Sequence, residues 1–252
     1  MKVACLFDGA GLARLGLEQA GLDVTGYELD PAKHALSLHV GSGNSILADV
    51  RDVDLSGYDA VWASPPCQVH SSARTQGEPT SEYATDLLDW ALALPHRVLW
   101  VENVTPQGRL PDWGVPYNAA QFEQEPRQQR RRMIGGRYPE PQTFRPYQRM
   151  FDSSVCFAIT ATEWKGCASD ARRASRWYGR KLTVDDCAYR MGFDIPAGWR
   201  AVPDGWTAAA WRNNLYQAIG NGVPVFMARA FGEAVTGQVQ HQVSQAGLWG
   251  AL

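Results

Sequence analysis

Residues 2–21 read KVACLFDGAGLARLGLEQAG. The apolar run 2–7 suits a strand, Gly9 and Gly11 form a tight Gly-x-Gly turn, and 12–21 resumes with apolar residues at helical spacing. A strand, a glycine turn and a helix, in that order, is how a doubly wound fold lets a ligand approach backbone and a helix N-terminus. The third glycine of the dinucleotide fingerprint is missing, so this turn alone specifies no ligand.

Working outward, short apolar runs alternate with helical patterns: VTGYEL (24–29), PAKHALSLHV (31–40), YDAVWAS (58–64), EYATDLLDWALAL (82–94) and RVLWVEN (97–103). Such alternation predicts parallel strands joined by crossover helices, hence an α/β doubly wound sheet. Two further runs, VPYNAAQF (115–122) and RRRMIGGRY (130–138), read as a hairpin at the sheet edge. Residues 139–216 are rich in Pro, Trp, Arg and Ser without sustained periodicity, as in a small irregular second lobe. The last clear element is a helix over VPVFMARAFGEAVTGQV, with QAIGNG before it as a turn and cap. The expected division is 1–145 for a catalytic and cofactor domain, 146–216 for the lobe, and 217–252 for a C-terminal helix returning to the first domain.

The chain has 252 residues, 45% of them apolar and 20% charged, which is ordinary globular composition and enough for a full core. No window approaches the roughly 18 uninterrupted apolar residues of a membrane span, and the N-terminal run passes into glycines without a secretory cleavage pattern, so a cytoplasmic protein is expected. The five cysteines are odd in number and lack CxxC spacing, arguing against a disulfide framework and against zinc. The net charge of −2 hides an asymmetry: residues 127–181 hold 13 Lys/Arg against 4 Asp/Glu. A solvated face or a phosphate-binding surface both fit that block.

The strand ends carry the chemistry. Glu28 closes the second strand about twenty residues beyond the glycine turn, where ribose hydroxyls are usually held, and Asp49 follows at the end of the third. After YDAVWAS, Pro65 and Pro66 force a rigid, extended exit that fixes Cys67 at the carboxyl edge of the sheet. A thiol fixed there is a nucleophile candidate. Glu102 ends the next strand, and alternation sends Arg130 and Arg132 to one face and Arg131 to the other. A thiolate, a carboxyl group and an arginine around one pocket suit activation of a pyrimidine ring.

With FDGAGL, YELD, ADV, PPCQ, ENV, QQRRR, RKLTVDDCAYRMGF and QAIGNGVP in family order, the chain resembles the cytosine-C5 DNA methyltransferase family from near its first residue to near its last. The resemblance implies a Rossmann-like, S-adenosyl-L-methionine-dependent methyltransferase fold acting on double-stranded DNA, without metal or membrane, as a monomer in a bacterial or virus-infected bacterial cell. It implies Cys67 as the nucleophile that adds to C6 of a flipped-out cytosine, Glu102 as the N3 partner supported by Asn103, Arg132 as the O2 contact, and Arg130 as a support for the loop after Cys67. For the cofactor it implies Phe7 on the adenine, Gly9 and Gly11 at the close-approach turn, Glu28 on the ribose, Asp49 and Val50 on the adenine edge, and Asn221 closing the site, with Leu29, Pro66 and Val223 beside them.

The chain departs from the family in three places. Leu12 stands where a second consecutive glycine is usual, and Val69-His70-Ser71 replaces the aromatic-Ser pair after the nucleophile. Only roughly 47 residues separate QQRRR from RKLTV, where the family inserts a long target-recognition region. A small lobe reads few bases, so the expected target is dinucleotide-like, with Gln68, Ser71, Arg145, Arg149, Lys165, Arg172, Arg173 and Arg176 as DNA contacts, the basic ones mainly on phosphates. Trp164, Trp177 and Tyr178 either fill the gap left by the flipped base or form the core of the lobe. The related tRNA-modifying branch carries a Cys-Phe-Thr signature that is absent here. A catalytically idle DNA-binding homologue would need no Cys67, Glu102 and Arg132 together.

Overall fold

β1 (Lys2–Leu6) is buried throughout after Lys2 and divides its side chains between two layers. Val3 and Cys5 enter one apolar cluster, Ala4 and Leu6 another, as strand alternation requires of a sheet covered on both faces. The structure, a computed structural model, describes residues 1–66, 81–105, 110–151, 154–165 and 174–237, without the side chains of 81–85 and 176. Cys67, Gln68, Ser71, Arg172 and Arg173, and the side chain of Arg176, lie outside the described residues.

Along the chain follow α1 (Leu12–Gln19), β2 (Asp23–Glu28), α2 (Pro31–Ser37), β3 (Ser45–Leu47), β4 (Ala60–Ala63), α3 (Ser81–Leu92) and β5 (Val98–Val104). The edge hairpin is β6 (Gly114–Asn118) with β7 (Arg131–Arg137), and the remainder is helical: α4 (Ala174–Trp177), α5 (Val184–Met191), α6 (Ala197–Arg200), α7 (Ala208–Asn221) and α8 (Val225–Thr236). Local chemistry sets several of these ends. Asp30 caps α2, accepting from the Ala32 N–H at 2.8 Å, with Pro31 at the first helical position. Thr183 and Asp186 form a capping box on α5, which stops at Gly192 in the left-handed region.

The sheet order is β3-β2-β1-β4-β5-β7-β6. The first five strands run parallel, while β7 is antiparallel to both β5 and β6, as the edge hairpin requires. α1 and α8 cover one face. There Trp62, Trp100, Tyr117, Phe122, Tyr138 and Phe231 make a chain of ring contacts with centroids 5.2–5.9 Å apart. Leu88 and Ala91 of α3 pack on the other. The order in which strands are laid down reverses between the parallel strands β1 and β4, and their carboxyl ends open a crevice there, the usual ligand position in a doubly wound sheet.

The irregular stretch is a third apolar cluster. Cys156, Ile159, Leu182, Cys187, Met191, Trp199 and Trp211 bury against Leu12, Leu36 and Val40, and Trp199 Nε1 donates to the Leu36 carbonyl at 2.9 Å. Trp164 and Tyr178 pack against this cluster, whereas Trp177 is 37% exposed. QAIGNG differs from its sequence reading: α7 runs through Asn221, because Leu215, Tyr216, Ala218 and Ile219 bury one helical face, and the chain turns only at Gly222, before Pro224.

Candidate active site

Three strand ends and one helix end meet at the crevice. After β1, Phe7 holds a φ of 59°, a left-handed conformation that a bulky residue adopts only when its surroundings impose it. Its ring sits edge-on to Trp90 with centroids 6.4 Å apart. Gly9 (φ 60°) and Gly11 (φ 83°) complete the turn, and the Gly11 N–H bonds the Asp8 carbonyl at 2.9 Å.

Glu28, buried at the end of β2, accepts the Gly9 N–H on Oε2 and the Asp30 N–H on Oε1, both at 2.8 Å. Each carboxylate oxygen carries two acceptor positions, so both keep capacity for hydroxyl donors. Beside it Leu29 is 57% exposed, an apolar surface at the crevice side of β2. Asp49 is engaged by Arg51, at 3.1 Å through Nε and 2.6 Å through Nη2, and these bonds hold its carboxyl below the ordinary range. Val50 is buried behind it.

Leu12 is buried and is the contact on which the α7–α8 turn rests: a Cβ on Gly222 would lie 2.6 Å from Leu12 Cδ1. That packing brings exposed Asn221 and buried Val223 toward the glycine turn. The same turn is clasped by Arg130, whose Nη2 donates to the carbonyls of Gly220 at 2.7 Å and Gly222 at 2.8 Å, while Nη1 donates to Ile159 at 2.5 Å. Arg130 therefore ties the start of β7 to the α7–α8 turn and to the 154–165 segment; the loop after Cys67, which it was expected to support, lies outside the described residues.

On the neighbouring strands Glu102 and Arg132 come together. Arg132 pairs with Val104 across the β5–β7 ladder, which sets it diagonally beside Glu102 on one face, with Nε 2.6 Å from Glu102 Oε1. Asn103 points the other way, and its Nδ2 donates to the Pro65 carbonyl at 3.2 Å. This fixes the exit of β4 two residues before Cys67. The three described cysteines, Cys5, Cys156 and Cys187, are buried, and burial pushes their thiols up, Cys156 to about 11, so none of them is a nucleophile.

Sequence reading missed the support under the glycine turn. Arg14, fully buried on α1, pairs with Asp8 at 3.2 Å and Glu18 at 3.0 Å and donates to the carbonyls of Ser37 at 2.7 Å and Val40 at 3.0 Å. Burial raises the Asp8 carboxyl even beside this guanidinium. The available signal was an arginine four residues before a glutamate on an otherwise apolar helix face.

Of the expected DNA contacts, Arg149 and Lys165 are exposed, and Arg145 is half-buried, donating to the Gln124 carbonyl at 2.5 Å. Among the described residues no group of three His, Cys, Asp or Glu side chains is placed to hold a metal, and no helix is long and apolar enough to cross a membrane.

No family model and no curated protein matches the chain. Solved structures do share its fold. A methyltransferase from Entamoeba histolytica superposes with a TM-score of 0.61 at 12% identity, over 96% of this chain and 99% of that one. The Dnmt2 methyltransferase of S. pombe gives 0.58 at 13% identity over 94% and 99%. A prophage-encoded protein of E. coli, named as a candidate DNA modification methyltransferase, gives 0.58 at 14% identity over 94% and 99%. The chain thus has the mixed α/β, seven-stranded fold of these methyltransferases.

Proposed function

We propose that the protein is a DNA (cytosine-5)-methyltransferase that uses S-adenosyl-L-methionine and acts in a very short sequence context. The reading rests above all on the Glu102–Arg132 pair, 2.6 Å apart at the sheet edge beside the Pro65–Pro66 exit that leads to Cys67. Buried ion pairs are costly to desolvate, and one placed at a ligand crevice has a chemical use to offset that cost.

The cofactor cradle fits on its own terms. Glu28 has acceptor capacity for two ribose hydroxyls, the glycine turn admits a ligand close to backbone, and Leu29 and Phe7 offer apolar surface for a purine. When bound, the cofactor supplies an electrophilic methyl group.

The chain's own residues do the rest. A Cys67 thiolate adds to C6 of the cytosine, forming the S–C6 bond and pushing an electron pair toward N3 and C5. The Glu102 carboxyl donates to N3, and Arg132 hydrogen-bonds O2, so charge displaced onto the ring is held by groups already in place. C5 thereby becomes nucleophilic enough to take the methyl group. Transfer of the C5 proton to solvent, return of the N3 proton to Glu102 and expulsion of Cys67 as the thiolate restore the aromatic ring and the starting enzyme. Since C5 and C6 lie inside the duplex stack, the base must be flipped out first.

The test is expression of the native protein and Cys67→Ser in a bacterial host free of cytosine methylation, followed by bisulfite sequencing. Protection by the native protein alone, confined to one dinucleotide context, is the expected result. Protection in a four-to-six-base motif refutes the short context. No protection by either protein refutes the DNA substrate and makes tRNA the next one to assay.

A further inference from the structure

Arginines and aromatic rings alternate along one surface of α4, α5 and the segment leading into β7. Arg127 lies over the Tyr189 ring at 4.8 Å, and Arg190 is 5.7 Å from the same ring and 5.1 Å from the Tyr178 ring. Trp177 meets Arg190 at 5.7 Å and Tyr178 edge-on at 4.9 Å, and Arg180 continues the series over Tyr178 at 5.4 Å. Hydrogen bonds lock the arrangement: Arg190 donates to Tyr178 Oη at 2.5 Å and to the Arg127 carbonyl at 2.6 Å, and Arg127 donates to the Tyr189 carbonyl at 2.8 Å.

A surface with no partner has little reason to hold Tyr189 at 57% and Trp177 at 37% exposure among pre-ordered guanidinium groups. Glu123 and Asp186 balance Arg127 and Arg180, but Arg190 has no carboxylate partner among the described residues. With Nε spent on Tyr178 and Nη1 on the Arg127 carbonyl, Arg190 keeps the donors of Nη2 for an anion such as a phosphate. Position agrees with charge. Arg127 precedes Arg132 by five residues, so it lies within about 17 Å of the proposed base pocket, inside the reach of one bound duplex.

We propose that this stack is a nucleic-acid contact surface on which Arg190 takes a backbone phosphate of the bound duplex and Tyr189 packs against its sugar or a displaced base. It rests on the DNA-methyltransferase reading and adds to it a binding surface on α5, outside the contacts assigned from the basic segment.

The experiment measures binding of a plain duplex oligonucleotide across a salt series for the native protein, Arg190→Gln and Tyr189→Ala, with S-adenosylmethionine affinity of each measured alongside. Arg190→Gln is expected to reduce the slope of log affinity against log salt by about one, the mark of one lost phosphate. Tyr189→Ala is expected to bind about tenfold more weakly at nearly unchanged slope, the mark of lost stacking. Unchanged affinity and slope in Tyr189→Ala, whose ring is exposed and whose loss leaves the fold intact, overturn the surface even where Arg190→Gln fails to fold. A native protein that methylates host DNA while both variants bind like it leaves the parent reading standing and removes only the surface. A native protein that binds cofactor but neither methylates nor binds duplex overturns both.

Discussion

Among the described residues two buried arginine–carboxylate pairs, Arg14 with Asp8 and Arg132 with Glu102, are built differently. Arg14 with Asp8 lies beneath the glycine turn at 0% side-chain exposure, and its guanidinium is further occupied by Glu18, Ser37, Val40 and Ser42. Arg132 with Glu102 lies at the ends of β7 and β5, and its one other hydrogen bond among the described residues is to the Arg131 carbonyl at 2.8 Å. A guanidinium has five N–H donors, so that of Arg14 is close to saturated while that of Arg132 keeps donors for something else. Saturation belongs to scaffolding. Unspent hydrogen-bonding capacity at a crevice belongs to a site that exchanges one partner for another.

The sharpest way to break this comparison is Glu102→Gln. Methyl transfer is expected to fall by about 10²–10⁴-fold, the range of a lost general acid, with cofactor affinity unchanged and less stability lost than at Arg14. Bisulfite quantification, calorimetry and urea unfolding read these three quantities. Arg14→Ala should do the reverse and cost about 3–5 kcal/mol of folding stability, because it strands the Asp8 carboxyl in the interior. Replacing Asp8 with Asn in the same chain should restore part of that loss in urea titrations. If Glu102→Gln unfolds the protein as Arg14→Ala does, the edge pair is scaffolding too.

Arg130 tests a middle case, buried like Arg14 but two residues from Arg132. Arg130→Met leaves the carbonyls of Ile159, Gly220 and Gly222 without its guanidinium, a cost of about 1–3 kcal/mol per unsatisfied group. The α7–α8 turn then loses its anchor, and S-adenosylmethionine should bind about tenfold more weakly, on the scale of one such loss. Calorimetric titration checks this.

The smallest effect concerns α5. Arg180 and the Thr183 groups hold the Asp186 carboxyl below its ordinary value. A depressed folded pKa contributes stability that is present above the unfolded value, about 3.9, and is lost as pH falls through it toward the folded value. Asp186→Asn should therefore lower stability at pH 7 and flatten its fall between about pH 5 and pH 3. Thr183→Ala should cost about 1 kcal/mol at pH 7.

Much of the sheet was readable because each signal is local. Gly9 and Gly11 mark a turn that only positive φ permits, Glu28 and Glu102 sit where apolar runs stop, and the arginines of β7 alternate as a strand demands. Regions settled by distant packing were not readable. Residues 139–216 show no periodicity because their apolar side chains close against α1 and α2, far away in sequence, and not against one another alone. The end of α7 was misjudged because two glycines and an asparagine suggest a turn, whereas burial of Ile219 and the docking of Gly222 on Leu12 carry the helix through to Asn221. Arg14 was passed over because a charge on a helix is ordinarily solvated, and only the carbonyls of α2 and its successor turn make its burial tolerable.

The most direct measurement is covalent trapping. Native protein, Cys67→Ser and Glu102→Gln are each incubated with S-adenosylmethionine and duplex DNA in which 5-fluorocytosine replaces cytosine, then resolved under denaturing conditions. A fluorine at C5 blocks the final elimination, so the native protein should remain joined to DNA through Cys67, Glu102→Gln should trap far more slowly, and Cys67→Ser should not trap at all. A native protein that binds the cofactor and this DNA yet forms no adduct would contradict the assignment of Cys67, Glu102 and Arg132 to cytosine methylation.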